Sequence, residues 1–356
     1  MLMAENEQQL QGSGPTKGQG AQRNVHNRFD RYSYEPEDWE VDKEKPQFIE
    51  VFPKTIVNQV RSPDLAMDYS ANPYQGCEHG CAYCFARPTH EYWGYNAGVD
   101  FERKIMVKKN APQLLEKFLQ KKSYEVSPIT FSGNTDCYQP IERQLRITRQ
   151  MLEICRDYRQ PVNIITKNAL ILRDIDILSK MAEQNLVCVS MSIPTLNEEL
   201  RRRMEPRTSG AAKKLNAITR LTAAGIPVHV MMAPIIPALN SEEILPLFEQ
   251  MAAAGAQGIG YSLVRLNQSV EPVFVQWLEA HYPDRKEKVL NQIRSMRGGT
   301  LGERRFFERY KGEGNIAEMI HTSVKVAKRK FFADRSIPPL NTELFTGSRT
   351  QQLRLF

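Results

Sequence analysis

Segments typical of β-strands and α-helices alternate through the middle of this 356-residue chain. Short apolar runs rich in β-branched residues predict strands, and i, i+3, i+4 apolar patterns predict the helices between them. The predicted strands cover 68–74, 128–133, 161–166, 186–192, 227–233 and 256–264, and the helices that follow the first five cover 111–122, 142–158, 173–184, 211–224 and 242–254. Repeated βα units form a parallel sheet with right-handed crossovers. We therefore expect an α/β fold with six parallel strands.

One face of three predicted strands is polar. Successive side chains of a strand point to opposite faces. The residues that share a face are Thr130, Ser132 and Asn134 on the second strand, Asn163, Ile165 and Lys167 on the third, and Cys188, Ser190 and Ser192 on the fourth. A parallel sheet that only packed a core would be apolar on both faces. We interpret the polar face as the lining of a site for a polar ligand; the alternative is a set of hydroxyls and amides that bond one another.

Three of the six cysteines lie close together, in the stretch 72–85. Three residues separate Cys77 from Cys81, and two separate Cys81 from Cys84. Thiolates are soft ligands that suit iron–sulfur clusters, zinc and copper(I). A cubane cluster held only by cysteine needs four of them, so three would leave one iron open to a ligand that is not protein. Gly76 and Gly80 allow the backbone to fold tightly around a bulky inorganic core.

A structural zinc site is the alternative for these cysteines. Zinc in such a site normally has four protein ligands, so His79 or Cys137 would have to be the fourth. The flanking glycines favour the cluster. So does Tyr83, an aromatic residue directly before the last cysteine, because its flat ring can lie against a flat ligand.

The pattern Cys77-x3-Cys81-x-Tyr83-Cys84 resembles the cluster motif of the radical S-adenosylmethionine (radical SAM) superfamily. The resemblance implies a [4Fe-4S] cluster on these cysteines, whose open iron binds SAM. It also implies reductive cleavage of SAM to a 5′-deoxyadenosyl radical and an electron donor such as flavodoxin or ferredoxin. The implied fold is a partial (βα)6 TIM-like barrel, in which the chemistry takes place at the carboxyl ends of the strands.

A second segment, Thr135-Asp136-x-Tyr138-Gln139-Pro140-x-Glu142, resembles proteins related to spore photoproduct lyase, the DNA repair photolyase-like branch. This resemblance implies that the strand ends contact SAM and that nucleic acid is the substrate. A lysine after the third strand resembles the lyase residue that pairs with the SAM carboxylate. The candidate SAM-binding residues are Tyr83, Ser132, Asn134, Thr135, Asp136, Lys167, Ser190 and Ser192. The alternative for Asp136 is to cap the helix that follows.

Cys137 is the candidate catalytic residue. Spore photoproduct lyase uses a cysteine in this region as a hydrogen-atom donor, and Cys137 lies directly after the Thr-Asp pair. The alternative is a packed free cysteine, which behaves as a small apolar residue.

The net charge of +7 is concentrated near the carboxyl end of the chain. Residues 284–335 contain 14 lysines and arginines against seven acidic residues, including Lys328, Arg329 and Lys330 in one run. A basic region of this kind suits a nucleic-acid partner, and a solvated basic face is the alternative. Two rival functions remain open: radical chemistry on a peptide or small metabolite, and a non-catalytic iron–sulfur or zinc module that binds nucleic acid.

The composition along the chain predicts three regions. Residues 1–45 are rich in Gln, Asn and Gly and predict a flexible polar tail. Residues 46–267 form the predicted core barrel, and residues 268–356 a helical basic extension that covers its open side. No apolar run is long enough to span a membrane. Because thiolate ligands must stay reduced, we expect a cytoplasmic setting.

Overall fold

The computed structural model describes residues 15–25, 27–29 and 45–347. In chain order its strands are β1 (Gln47–Glu50), β2 (Val57–Gln59), β3 (Tyr69–Ala71), β4 (Tyr74–Gln75), β5 (Lys104–Val107), β6 (Ile129–Phe131), β7 (Val162–Thr166), β8 (Val187–Ser192), β9 (Val228–Ile235) and β10 (Gly258–Leu263). Its α-helices are α1 (Val99–Arg103), α2 (Ala111–Leu119), α3 (Glu142–Leu145), α4 (Ile147–Asp157), α5 (Ile175–Ala182), α6 (Glu198–Met204), α7 (Ala211–Ala223), α8 (Ile244–Ala253), α9 (Val270–His281), α10 (Lys286–Ser295) and α11 (Gly314–Phe331).

Six parallel strands form the centre of the fold. The main sheet has the order β10-β9-β8-β7-β6-β3-β2, in which only the edge strand β2 is antiparallel to its neighbour. The six parallel strands follow one another in chain order, as expected when each crossover helix returns the chain to the next position. The predicted α/β fold with six βα units is therefore confirmed. Whether the sheet curves into the predicted partial barrel stays a prediction.

The first predicted strand, 68–74, is divided between two sheets. Its first half, β3, joins the main sheet, whereas β4 pairs with β5 in a small sheet of order β1-β5-β4. The chain leaves the main sheet at Ala71 and enters the cysteine stretch from β4. The small sheet therefore sets the point from which the cysteine stretch starts.

The core lies between the sheet and its helices. Val187, Val189 and Met191, on the face of β8 opposite its polar face, are fully buried. The predicted helix 142–158 is interrupted at Arg146, whose φ of 53° is left-handed, and forms two helices, α3 and α4. The predicted helix over 242–254 forms α8, preceded by one 3-10 turn.

The carboxyl-terminal helices α9 to α11 form as predicted, and α11 packs against α8. The Arg335 guanidinium follows α11 and donates to the carbonyls of Ala252 (2.7 Å) and Ala256 (2.6 Å), just before β10 begins. The basic run 328–330 at the end of α11 therefore lies towards the edge where the strands begin. Whether the extension covers the open side of the sheet stays a prediction.

The described part of the amino-terminal region packs on the core. The backbone N–H groups of Gly20 and Ala21 donate to the Glu102 carboxylate (3.2 and 2.7 Å), and Val25 N–H donates to Asn96 (2.6 Å). Residues 15–25 and 27–29 therefore differ from the predicted flexible tail, because buried acceptors hold their backbone. The rest of that predicted tail lies outside the described residues. No helix in the described ranges is both long and apolar enough to cross a membrane.

Candidate active site at the carboxyl ends of the strands

The cysteine stretch forms two consecutive turns. Gly80 N–H donates to the carbonyl of Cys77, and Cys84 N–H to that of Cys81, both at 3.3 Å. Gly76 and Gly80 have φ of 77° and 65°, a conformation that favours glycine. A Cβ atom at Gly76 would lie 2.7 Å from the Lys104 carbonyl oxygen. The loop therefore needs glycine at both positions, as the sequence predicted.

The three cysteine side chains are suited to a positively charged metal group. Burial raises the pKa of Cys77, Cys81 and Cys84 above that of an ordinary thiol. A thiolate in such a place needs a cation beside it, and coordinated iron is one. The Arg87 and Lys167 charges act in the same direction, since they favour the thiolate forms of Cys84 and Cys81 respectively. The donor set therefore fits an iron–sulfur cluster.

The zinc alternative requires ligands that converge on one ion. Within the described ranges, no three His, Cys, Asp or Glu side chains are placed to hold a single metal ion. His79 is buried, and its Nδ1 faces the Asp136 carboxylate at 3.4 Å. Cys137 lies in the main core. A cubane differs from zinc in that each thiolate binds its own iron, so its ligands need not meet at one point.

A buried ion pair supports the cysteine loop. The Arg87 guanidinium donates to the Cys81 carbonyl from Nε (3.0 Å) and Nη2 (2.8 Å), and Nη2 also lies 2.5 Å from the Glu102 carboxylate. Both side chains of the pair are fully buried. Because Glu102 also accepts from Gly20 and Ala21, one carboxylate joins the loop to the amino-terminal segment. The pair is thus part of the framework of the site.

The segment 135–142 supports the loop from the other side. Gln139 accepts from Glu78 N–H (2.9 Å) and donates to the Gly76 carbonyl (3.3 Å). The Glu78 carboxylate in turn accepts from Ile141 N–H at 2.7 Å. These reciprocal bonds join the two motifs that were separate in the sequence. Gln139 of the segment 135–142 therefore positions the cysteine loop.

Lys167 lies where β7 ends and belongs to a buried charge network. Its Nζ is 2.9 Å from Glu205 Oε1 and donates to the Ala233 carbonyl at 2.9 Å. The second Glu205 oxygen is 3.5 Å from Lys214 Nζ, which donates to the Ser192 carbonyl at 3.2 Å. An ammonium group has three donors, and each lysine uses two within the described part of the chain. One donor on each lysine is left for a further acceptor.

Tyr83 connects this charge network to the cysteine loop. Its hydroxyl donates to Glu205, and Lys167 Nζ lies 5.7 Å from the centre of its ring. Burial raises the pKa of the Glu205 carboxyl, but Lys167 and Lys214 outweigh this and lower it to about 2. Glu205 is therefore a carboxylate that orients both Lys167 and Tyr83. Tyr83 and Lys167, two of the candidate SAM-binding residues, therefore lie close together.

Two residues of the network were not predicted as binding residues. Glu205 directly follows α6, and it is fully buried. Lys214 gave no signal, because a lysine within the helical pattern of α7 is normally exposed. Its side chain is also fully buried.

Three of the predicted SAM-binding side chains after β6 bond to the protein itself. The Ser132 hydroxyl donates to the Ile165 carbonyl (2.6 Å), and the Thr135 hydroxyl to the Tyr74 carbonyl (3.0 Å). The Asn134 amide faces the Thr89 hydroxyl at 3.4 Å. These contacts tie the segment after β6 to its neighbours.

Asp136 does not cap the following helix α3, whose first turn has no side-chain cap, but bonds to the turn after β6 and to the end of β7. It accepts from the backbone N–H of Tyr138 (2.8 Å) and of Lys167 (2.8 Å), and from the Thr166 hydroxyl (2.9 Å). These bonds fix the turn after β6 and the first residue after β7. By contrast, the hydroxyls of Ser190 and Ser192 on β8 have no hydrogen-bond partner among the described residues.

Cys137 is packed in the core. Its side chain is fully buried within the main hydrophobic cluster, and its backbone N–H donates to the Ser132 hydroxyl at 3.1 Å. A hydrogen-atom donor must reach a substrate radical, and this thiol has no exposed surface. The position fits the alternative of a packed free cysteine.

Comparisons with known proteins agree with this geometry. The sequence profile of the Radical SAM superfamily matches residues 71–251, half of the chain. An uncharacterized protein of Mycobacterium tuberculosis is 35% identical over 240 residues, 67% of this chain and 71% of that protein. The radical SAM Nalpha-GlyT isomerase of Pseudomonas phage M6 is 23% identical over 223 residues, 62% of this chain and 44% of that protein.

The fold is similar to that of spore photoproduct lyase. The structure of that lyase complexed with dinucleoside spore photoproduct superposes with a TM-score of 0.58 at 17% identity, over 80% of this chain and 79% of that chain. The span matched by the superfamily profile contains the cysteine loop and every strand from β4 to β9. The chain therefore belongs to the radical SAM superfamily and is an enzyme of that superfamily.

Proposed function

We propose that Cys77, Cys81 and Cys84 hold a [4Fe-4S] cluster at which SAM is reductively cleaved. The superfamily implies both cofactors. When bound, they supply a 5′-deoxyadenosyl radical that abstracts a hydrogen atom from the substrate. The observation that carries the proposal is the buried three-cysteine loop, held beside the Tyr83 and Lys167 pair at the strand ends.

The residues of the chain would bind and orient SAM. Lys167 has one free donor for the SAM carboxylate and is held in place by Glu205 and the Ala233 carbonyl. The hydroxyls of Ser190 and Ser192 are free to bond a ribose. Asp136 contributes indirectly, because it fixes the backbone at Lys167. A partial barrel formed by the six parallel strands would shield the bound cofactors from water.

We propose nucleic acid as the substrate class. Support comes from the fold shared with a lyase whose structure contains a dinucleoside photoproduct and from the basic charge of the chain. The electron would come from a donor such as flavodoxin or ferredoxin in a reducing cytoplasm. The core of residues 46–267 would carry the chemistry, with 1–45 and 268–356 as flanking regions.

The cluster assignment is tested by removing one ligand. Anaerobically reconstituted, reduced wild-type protein should bind about four irons per chain and convert SAM to 5′-deoxyadenosine. Cys81→Ala should lose both properties. Cys155→Ala is the matched control, because Cys155 is a buried cysteine on α4, away from the loop. A Cys81→Ala protein with the wild-type iron content and cleavage rate would exclude the assignment.

The substrate class is tested by isotope transfer. Candidate DNA and RNA labelled with deuterium at carbon should pass the label into 5′-deoxyadenosine. Label transfer from peptides and not from nucleic acids would contradict the proposal.

A further inference from the structure

Five side chains form a continuous stack that starts at the cysteine loop. The Arg265 guanidinium lies over the rings of Phe85 (5.7 Å) and Tyr310 (4.8 Å), and that of Arg309 lies over Tyr310 (4.9 Å) and Phe306 (5.0 Å). We call Phe85, Arg265, Tyr310, Arg309 and Phe306 the aromatic–arginine ladder. Phe85 directly follows the ligand Cys84, and Arg265 follows β10. The ladder therefore lies at the same edge of the sheet as the cysteine loop.

Asp64 holds the far end of the ladder in place. Its carboxylate accepts from Arg309 Nε (2.7 Å) and Nη2 (2.5 Å) and from Phe307 N–H (3.1 Å). Phe307 has a φ of 67°, a left-handed conformation that is rare for a bulky residue. Strain of this kind persists only where the surroundings fix it. The bonds to Asp64 therefore maintain a turn with two consecutive phenylalanines.

Three aromatic side chains along the ladder and its turn face water. Phe85, Phe306 and Phe307 have 55%, 49% and 56% of their surface exposed. Folding alone gives no reason to expose three large rings at one edge of a sheet, and exposed apolar patches mark binding surfaces. The ladder is therefore a surface with a ligand to bind.

The charge of the surface identifies the chemistry of that ligand. Arg309 and Arg305 are neutralised by Asp64 and Glu303. The basic side chains around the ladder that have no carboxylate partner within the described residues are Arg265, Arg304 and Lys311. Cations without a carboxylate partner, close to exposed rings, fit a ligand that carries both flat groups and negative charges.

We propose that the aromatic–arginine ladder binds single-stranded nucleic acid, with unpaired bases stacked on its rings and phosphates on its free cations. Bases stack on exposed aromatic side chains without sequence preference, while basic groups follow the backbone. Duplex DNA hides its base faces, so the ladder suits unpaired nucleotides. The inference rests on the proposed function, because that function places a cluster beside the ladder. It adds that the nucleic acid reaches the cluster as a single strand.

Fluorescence anisotropy with a labelled oligothymidylate of about 12 nucleotides tests the ladder on the reconstituted protein. The wild type should bind this strand more tightly than a duplex of equal length. Phe306→Leu keeps an apolar side chain but removes the ring, and it should weaken binding about 5- to 100-fold. Arg265→Gln should reduce the slope of log K against log salt by about one.

Phe52→Ala is the matched control, because Phe52 is 70% exposed and lies between β1 and β2, outside the ladder. It should bind as the wild type does. Equal affinity of Phe306→Leu and Phe52→Ala for the single strand would overturn the proposal, and so would a wild type that prefers the duplex or binds neither. Binding needs no turnover, so its outcome is separate from SAM cleavage. Cleavage of SAM without substrate should be unchanged in Phe52→Ala.

Discussion

Two arginine–carboxylate pairs hold the two ends of the site in different ways. Arg87 and Glu102 support the cysteine loop with both side chains fully buried, whereas Arg309 and Asp64 hold the ladder with 14% and 2% of their side chains exposed. Both pairs also bind backbone groups of the segment they support. The same kind of ion pair therefore supports a buried region, the cysteine loop, and a more exposed one, the ladder.

The two pairs differ in whether water can solvate the arginine when its carboxylate partner is removed. Water can reach Arg309 and solvate a guanidinium left alone, but it cannot reach Arg87. Arginine does not deprotonate in proteins, so an unpaired Arg87 would stay charged in the core. The rigid part of the site should therefore depend strongly on its ion pair, and the open part only weakly.

Glu102→Gln should have the largest effect. Removing one partner of a buried ion pair costs about 3–5 kcal/mol, because the other charge is left uncompensated. We expect that loss in the free energy of unfolding, measured with urea, together with a lower iron content after reconstitution, since Arg87 also holds the Cys81 carbonyl.

Glu50→Gln is the control for Glu102→Gln, because Glu50 pairs with Lys109 at the exposed surface. Such pairs contribute about 0–1 kcal/mol. Similar stability losses in the two variants would show that burial does not distinguish the pairs.

Gly80→Ala should have an intermediate effect. Gly80 has a φ of 65°, and a Cβ there would lie 2.7 Å from the Glu102 carboxylate. Gly94 has a φ of 72° and open space around it. Both substitutions carry a strain of about 1–2 kcal/mol from the left-handed backbone, and Gly80→Ala adds about 1–3 kcal/mol of overpacking. Urea unfolding of the two variants measures the difference. Equal losses would show that Glu102 moves aside freely.

Sequence reasoning located the site where its signals were local. The cysteine spacing, the glycines and the strand alternation are all readable within a few residues, and the resemblance of the cysteine motif to the radical SAM superfamily implied a site at the carboxyl ends of the strands. Tyr83 and Lys167 were each candidate SAM-binding residues, since their positions border the loop or a strand end. These features depend on short-range geometry, which the sequence pattern records directly.

The remaining parts depend on contacts between distant segments. Arg309 and Asp64 are 245 residues apart, and no local pattern connects them. Lys214 and Glu102 are charged residues on helices, which periodicity assigns to the solvent face, yet both are buried by partners from other segments. The basic run 328–330 gave a clear charge signal but no information about which edge of the sheet it would occupy.

Asp64→Asn should have the smallest effect on stability of the three substitutions. The pH dependence of the stability loss should show that the charge of Asp64 causes it. Loss of the charged partner of Arg309 should cost about 2 kcal/mol at neutral pH, the value typical of hydrogen bonds to a charged group. Burial raises the pKa of Asp64, but the bonds from Arg309 and Phe307 N–H outweigh this and lower it below its usual value. A carboxyl with a lowered pKa stabilises the fold above its unfolded-state pKa and stops doing so as the pH falls through its folded-state pKa.

The stability difference between wild type and Asp64→Asn should therefore be constant above about pH 5 and shrink as the pH falls below the range in which an ordinary Asp carboxyl titrates. Urea unfolding across this range measures it, and the other carboxyl groups cancel because both proteins contain them. At neutral pH, Asp64→Asn should also bind the oligonucleotide more weakly than the wild type does, because the turn that presents Phe306 loses its support. A difference that persists unchanged at low pH would mean that Asp64 acts through packing, and the open end of the site would then resemble the closed one.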